Sequence, residues 1–365
     1  MKPIKIFALP SHASKKNTSG VDFARIIQPM KYLNLHKDFD VTIWDVHEPE
    51  ISTWDKLAPQ YDIFYFNYMN TPWGFAAMGC MARKNGVKLV MDLDDALWHI
   101  LPDNPAYKIF KKKSKGIHVI TSICNESDFI TCTHGYLKNV ITHNTFKSHE
   151  DIEVLPNFID LDLYKHRAKV KNEHNIIIGH VGSTTHFTSL MSEGFLKGMD
   201  KIMKEYPNVT FKTIGAFIPK YKKRWGARYM HAFGDTDLYK WVNDKFPEAT
   251  DDIDFFVTPL VDNVYNRCKS NIKFLEISSA KKPGVWQNIR QYSDVVRNGI
   301  TGLLAERELE WYGQMKKLIT NVKLRKEMGE NAFEQTKENW TIQSNINYYA
   351  DFFKKVALDK RNSLL

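Results

Sequence analysis

A chain of 365 residues, 43% hydrophobic and 25% charged, is too long for one ordinary α/β domain and can bury a core in each of two, which excludes a disordered or fibrous protein. The 51 basic and 42 acidic residues leave a net charge of +9, a balance that favours anionic partners such as nucleotides, nucleic acid or acidic membrane surfaces. The cysteines Cys80, Cys124, Cys132 and Cys268 have no CxxC spacing, which speaks against zinc and for a reduced, cytoplasmic compartment, and no apolar run reaches the roughly 18 residues of a membrane span.

Strand and helix signals alternate from the start. Residues 5–9 form an apolar β run, a first strand and not a signal sequence. A polar loop at 12–20 leads into helical apolar spacing over 21–35. Further strands are expected at 41–44, 63–67, 87–92 and 129–133, with a helix at 75–84 stopped by Gly86 and another opened by His134. Near Val154 to Asn157 the pattern restarts. Residues 164–174 are charged and linker-like, and 176–183 read as a strand ending in a glycine loop. Strands are expected at 209–214 and 253–257, a helix at 270–280, a strand about Val285, a turn at Asn298-Gly299, and then a long charged helical tail. Such alternation predicts two parallel, doubly wound sheets.

Ligands of such sheets bind beyond the carboxyl ends of the strands, which places four groups of candidates. Gly20, in the loop after the first strand, could let backbone N–H groups approach a phosphate, although a lone glycine there more readily reads as a simple turn. Gly182, Ser183 and Thr184, with His180 and His186, offer small residues, hydroxyls and imidazoles to a diphosphate, although the loop matches neither GxGxxG nor the P-loop. Asp92, Asp94 and Asp95 close a strand, where neighbouring carboxylates repel unless something offsets them. They suit sugar hydroxyls, an acceptor or a divalent cation, or merely the start of a helix. Lys269 and Ser270 open a helix on which Lys273 and Glu276 follow on one face. Ammonium, hydroxyl and helix dipole converge there on a phosphate, and Glu276 suits the two hydroxyls of a ribose.

The segment Lys269-Ser270-Asn271-Ile272-Lys273-Phe274-Leu275-Glu276, followed by Ala280 to Pro283 and Asn298-Gly299-Ile300-Thr301-Gly302-Leu303-Leu304, resembles the C-terminal signature of glycosyltransferase family 4 (group 1). Leu155-Pro156-Asn157-Phe158-Ile159-Asp160 is similar to that family's PN-x-x-D domain junction, and the stretch from Gly20 to Arg25 followed by Pro29 to a subset with a short glycine loop. The resemblance implies the GT-B fold, with an acceptor-side domain at 1–160, a nucleotide-sugar domain at 161–342 and a C-terminal helix, 343–365, packing back on the first. It implies a retaining transferase with a nucleotide-sugar donor, UDP-linked by expectation, and no obligatory metal. Lys269 and Ser270 then bind the donor phosphates, Glu276 the ribose, and Gly20 backs the diphosphate. Asp92, Asp94, Asp95 and Lys269 are the candidate catalytic residues. Two departures stand out: the first acid of the family's E-x7-E motif falls at Cys268, and Gly284-Val285-Trp286 replaces the usual small residues after Pro283.

Two basic segments address the acceptor: 108–115, with Lys111, Lys112 and Lys113, and 220–228, with Lys222, Lys223 and Arg224. Clustered cations with Tyr and Trp suit a phosphate backbone and base stacking, as well as a plain solvated surface. A 5-hydroxymethylpyrimidine base in DNA is the leading acceptor, in a chain similar in style to phage proteins and then working in the bacterial host cytoplasm. The alternatives are an envelope glycan or lipid-linked sugar, reached by peripheral contact with anionic lipid, and a non-catalytic nucleotide-sugar-binding module. A Rossmann oxidoreductase lacks its glycine fingerprint.

Overall fold

The aromatic and β-branched runs become strands buried on both faces, as parallel sheets covered by helices require. In the computed structural model, which describes residues 2–11, 19–44, 49–67, 72–104, 106–166, 174–234 and 240–361, they form two six-stranded sheets with every pairing parallel. The first contains β1 (Ile4–Leu9), β2 (Phe39–Ile43), β3 (Ile63–Asn67), β4 (Lys88–Leu93), β5 (Phe129–Cys132) and β6 (Ile152–Val154), in the order β2-β1-β3-β4-β5-β6. The second contains β7 (Ile176–Gly182), β8 (Val209–Gly215), β9 (Tyr229–Ala232), β10 (Phe255–Thr258), β11 (Gly284–Gln287) and β12 (Leu303–Ala305), in the order β12-β11-β10-β7-β8-β9. Strand order therefore reverses between β1 and β3 and between β7 and β10, where doubly wound sheets open a ligand crevice. The expected doubly wound α/β class is the observed one.

Three strands escape sequence patterning: β6, β9 and β12. Each has three or four residues and lies at a sheet edge, too short to show a period and half-relieved of the need to be apolar. The helix expected over 21–35 is broken into Gly20–Asp22, a π-helical turn Phe23–Ile27, and Gln28–Leu33. Pro29 has no N–H to offer the carbonyl of Arg25 four residues earlier. The freed carbonyl accepts instead from the Tyr65 hydroxyl at 3.2 Å.

The charged tail forms three helices, Glu308–Thr320, Val322–Asn339 and Ile342–Leu358. The last lies on the first sheet, where Tyr349, Phe352 and Phe353 join Ile6, Tyr65 and Phe129 in one core. The Phe353 and Tyr65 rings meet edge-on at 5.1 Å. The chain thus passes between the sheets twice, and the two passages touch: Ile159 N–H donates to Trp340 O at 2.9 Å and Ile342 N–H to Ile159 O at 3.0 Å. Tyr32 and Gln343 both donate to the Asp160 carboxylate beside them. No helix among the described residues is long and apolar enough to cross a membrane.

Candidate functional site between the two sheets

Asp92, next to the last residue of β4, has no exposed surface. Its carboxylate receives Arg25 Nη2 at 2.8 Å, Arg25 Nε at 3.1 Å and Thr131 Oγ1 at 2.6 Å. Arg25 is 1% exposed and also donates through Nη1 to Leu155 O at 2.6 Å and Asn157 Oδ1 at 2.9 Å. Burial works against the guanidinium charge, but Asp92 more than offsets it and holds the group well above its ordinary range. The acid that the strand-end cluster offers first is therefore spent inside the first domain, tying the Pro29 helix to β4 and to the domain junction.

The next two acids are half-buried. Asp95 Oδ2 accepts from Tyr265 Oη at 2.9 Å, and Oδ1 from Lys269 Nζ at 3.3 Å. Lys269 also lies 4.5 Å from the centroid of the Tyr265 ring, and Asn104 Nδ2 reaches the same Tyr265 hydroxyl at 3.0 Å. The carboxyl of Asp94 is pushed up to about 8 by burial and then by Asp95 and Asp92. In its folded setting this group keeps its proton where an unfolded carboxyl would lose it. Its effect on stability is thus complete below the unfolded value and lost as pH rises towards about 8. Thermal melts between pH 6.5 and 8 are expected to fall more steeply for the wild type than for Asp94→Asn.

The segment 263–270 of the second domain is clasped by the first at several points. His134 caps its own helix through Nδ1, leaving Nε2 to donate to Cys268 O at 3.0 Å. Asn157 Nδ2 donates to Ser270 Oγ at 2.8 Å. One amide thus joins the buried Arg25 on one side to the Ser270 hydroxyl on the other. Cys268, where the E-x7-E motif has its first acid, has no exposed surface and packs with Tyr265 into the core of the first domain. A charged acid could not take that place without a partner.

Behind this clasp the helix Ile272–Ser279 runs away from the junction. Lys273 Nζ donates to Val181 O at 2.8 Å, and burial brings its ammonium down to about 8. The Glu276 carboxyl, raised by burial and opposed by Lys273, makes no hydrogen bond among the described residues. Tyr164 and Tyr292 lie within its field, and it raises both phenols further after burial. An unanswered, half-buried carboxylate asks for external donors. Gly182, at the end of β7, is crowded by the His180 and His186 rings. Gly215 pairs with it at φ 96°, where a Cβ would lie 2.6 Å from Gly182 O; only glycine fits there. Ser183 is exposed and bonds Thr185 Oγ1 at 2.8 Å. Thr184 opens the turn Thr184–His186, its side chain outside the described residues.

Lys269 and Ser270 lie in the turn that precedes the helix Ile272–Ser279 and do not open it as expected, Lys273 and Glu276 follow on the helix, and Asp95 stands opposite Lys269. Gly20 opens the helix capped by Ser19, with nothing within 4 Å of a Cβ there; the loop 12–18 before it lies outside the described residues. Lys111, Lys112 and Lys113 are exposed in a turn, Lys113 at φ 63°. Lys222 and Lys223 are exposed on the helix Pro219–Trp225, whereas Arg224 is fixed to Asp200 at 2.6 Å. Among the described residues no three His, Cys, Asp or Glu side chains converge as metal ligands. Sequence reasoning missed Tyr265, Asn104, Tyr164 and Tyr292, none of which belongs to a recognisable motif.

No protein-family model matches the chain, and no curated protein does. Solved structures do match in fold. HepE of Anabaena, in complex with UDP and glucose, superposes with a TM-score of 0.66 at 14% identity, over 96% of this chain and 99% of that one. Sucrose-phosphate synthase of Thermosynechococcus elongatus gives 0.67 at 10% identity over 96% and 99%. A glycosyltransferase of Rickettsia africae gives 0.66 at 12% identity over 98% and 100%. At such identities the likeness is one of fold, and the fold is GT-B: two Rossmann-like domains facing a cleft.

Proposed function

We propose that this chain is a retaining glycosyltransferase that moves a sugar from a UDP-linked donor, held by the second domain, to an acceptor hydroxyl presented by the first. The observation that carries the reading is the meeting of Lys269 and Ser270 with Asp95 and Asn157 at the junction, with the unanswered Glu276 carboxylate behind them. The neighbour HepE, solved with UDP and glucose, supports the choice of donor. Glu276 accepts the two ribose hydroxyls. Lys269, Ser270 and the N-terminus of the helix Ile272–Ser279 stabilise the diphosphate as negative charge develops on it. The departing phosphate takes the acceptor proton, so no strong protein base is needed. Asp95 keeps Lys269 aligned, and Asp94, carrying its proton, donates to a sugar oxygen. As acceptor we favour a 5-hydroxymethylpyrimidine base of DNA, on the strength of the exposed Lys111, Lys112, Lys113, Lys222 and Lys223 and the net charge of +9. A base in duplex DNA must flip out to reach the cleft.

The test is a panel of nucleotide sugars incubated with hydroxymethylated DNA, plain DNA or no acceptor, read by released nucleotide and nucleoside mass spectrometry. A sugar-sized mass gain on the modified base alone supports both parts. Nucleotide release without gain on DNA keeps the transferase and moves the acceptor to glycans or lipid-linked sugars. No release from any donor leaves only a binding module. Glu276→Gln is expected to weaken UDP binding by about 10- to 100-fold, the worth of charged hydrogen bonds to a ribose. Its melting temperature should not fall, because the substitution removes a half-buried charge that no protein donor answers. Calorimetry and thermal melts read the two effects separately.

A further inference from the structure

A cavity of about 420 Å³ opens beside the helix Gln28–Leu33, where the chain crosses from the first sheet to the second. Gln28, Lys31 and Tyr32 share one face of that helix, and Leu35 follows at its end. Asp160 and Leu163 of the crossing close the other side, and Phe23 of the π-helical turn completes the wall. The volume is that of a small-molecule site, and the walls are mainly apolar. None of these residues is among those of the proposed donor site.

Most polar groups of the cavity are already answered. Tyr32 Oη donates to Asp160 Oδ2 at 2.6 Å. Gln343 Nε2 and the Asp162 amide donate to Asp160 Oδ1 at 2.9 and 3.1 Å. Tyr32 Oη in turn accepts from Gln343 Nε2 at 3.0 Å. Gln28 is the exception. It is 6% exposed and lines the cavity, yet its side-chain amide makes no hydrogen bond among the described residues. Such an amide has an acceptor oxygen and two N–H donors to satisfy, and burial makes leaving them bare costly.

We propose that this cavity is a binding site for a nucleobase, free or as its nucleoside, whose ring edge carries an N–H beside an acceptor. That edge meets both halves of the Gln28 amide at once, as in the bidentate pairing of glutamine with adenine. The flat ring is covered by Phe23, Tyr32, Leu35 and Leu163. One cation, Lys31, and one anion, Asp160, leave the lining without net charge, which suits a neutral ligand better than a phosphate. A molecule seated there touches both the first-domain helix and the crossing chain, and so braces the junction. The proposal stands independently of the donor reading.

Ligand-observed NMR tests it, with uridine, cytidine, thymidine, adenosine and guanosine each titrated into the full chain, with and without excess UDP. At least one nucleoside is expected to bind whether or not UDP is present. Gln28→Leu is expected to weaken that binding about 10-fold, the worth of the amide's hydrogen bonds, and to leave UDP binding as it was. Hydrogen exchange with the tightest nucleoside is expected to slow over residues 28–35 and 159–163. No binding by any of them, binding abolished by UDP, or affinity unchanged in Gln28→Leu overturns the proposal. Slowing confined to 180–185 and 269–276 overturns it too and puts the base in the donor site. Should Gln28→Leu fail to fold, Leu35→Glu, at a position 80% exposed, sets a charge on the apolar lip. It is expected to weaken the nucleoside by about 10-fold, and unchanged affinity there refutes the site. UDP binding, read by calorimetry, judges the donor reading alone.

Discussion

Lys269→Ala is expected to lower kcat for sugar transfer by about 10²- to 10³-fold, the usual cost of removing one group aimed at developing charge. Lys269 spans the junction, 3.3 Å from Asp95 and 3.4 Å from the Tyr265 hydroxyl. It is pre-aligned by an acid that a diphosphate can outbid with two charges. Removing it leaves Asp95 with the Tyr265 hydroxyl still in place, so the fold should survive. Steady-state kinetics with the donor found by the panel, alongside thermal melts, checks this. A kcat within threefold of wild type would remove Lys269 from the transfer step. Lys269→Arg should recover little, because the longer, planar fork does not fit the place of a compact ammonium between Asp95 and the Tyr265 hydroxyl.

Asp92→Ala is expected to fail for a different reason. It leaves Arg25, 1% exposed, without its carboxylate, and breaking a buried pair costs about 3–5 kcal/mol. Domains of this kind hold only about 5–15 kcal/mol in all. The variant should therefore express poorly or melt far below the wild type, and any loss of activity would report folding. Arg25→Met combined with Asp92→Leu should be markedly more stable than Asp92→Ala alone, since replacing the whole pair by apolar side chains removes the unpaired charge. Urea denaturation of the three proteins tests it. If Asp92→Ala is as stable as wild type yet inactive, Asp92 belongs with the chemistry after all.

These two residues also show what the sequence reveals and what it hides. The run Val87 to Asp92 announces a strand, and its terminal acids announce the carboxyl end at which ligands gather. Nothing local says that the first of those acids is already occupied. Its partner lies 67 positions earlier, in a helix whose inward residues include the apolar Ile26, Met30 and Leu33. An arginine on such a face was the available signal, since a buried guanidinium must have a counter-ion. The segment of Lys269, Ser270 and Glu276 was legible because its chemistry is contiguous. Tyr265 and Asp95 were not, because their hydrogen bond joins positions 170 apart and rests on how two separately folded sheets face one another. His180 and His186 were visible as residues but not as a pair with bare nitrogens, a property of burial alone.

The paired passages at Ile159 and Trp340 to Ile342 bear on motion. Two covalent links far apart would lock the halves, and a single link would let them swivel freely. Two links bonded side by side leave one easy rotation, a bend across the pair, and resist twisting about it. Any relative movement of the two domains would then follow one arc, along which Asp95 returns to Lys269 and Asn157 to Ser270. The side chains at the mouth can remain few and weakly held, because alignment is inherited from the pivot and does not have to be found at the mouth.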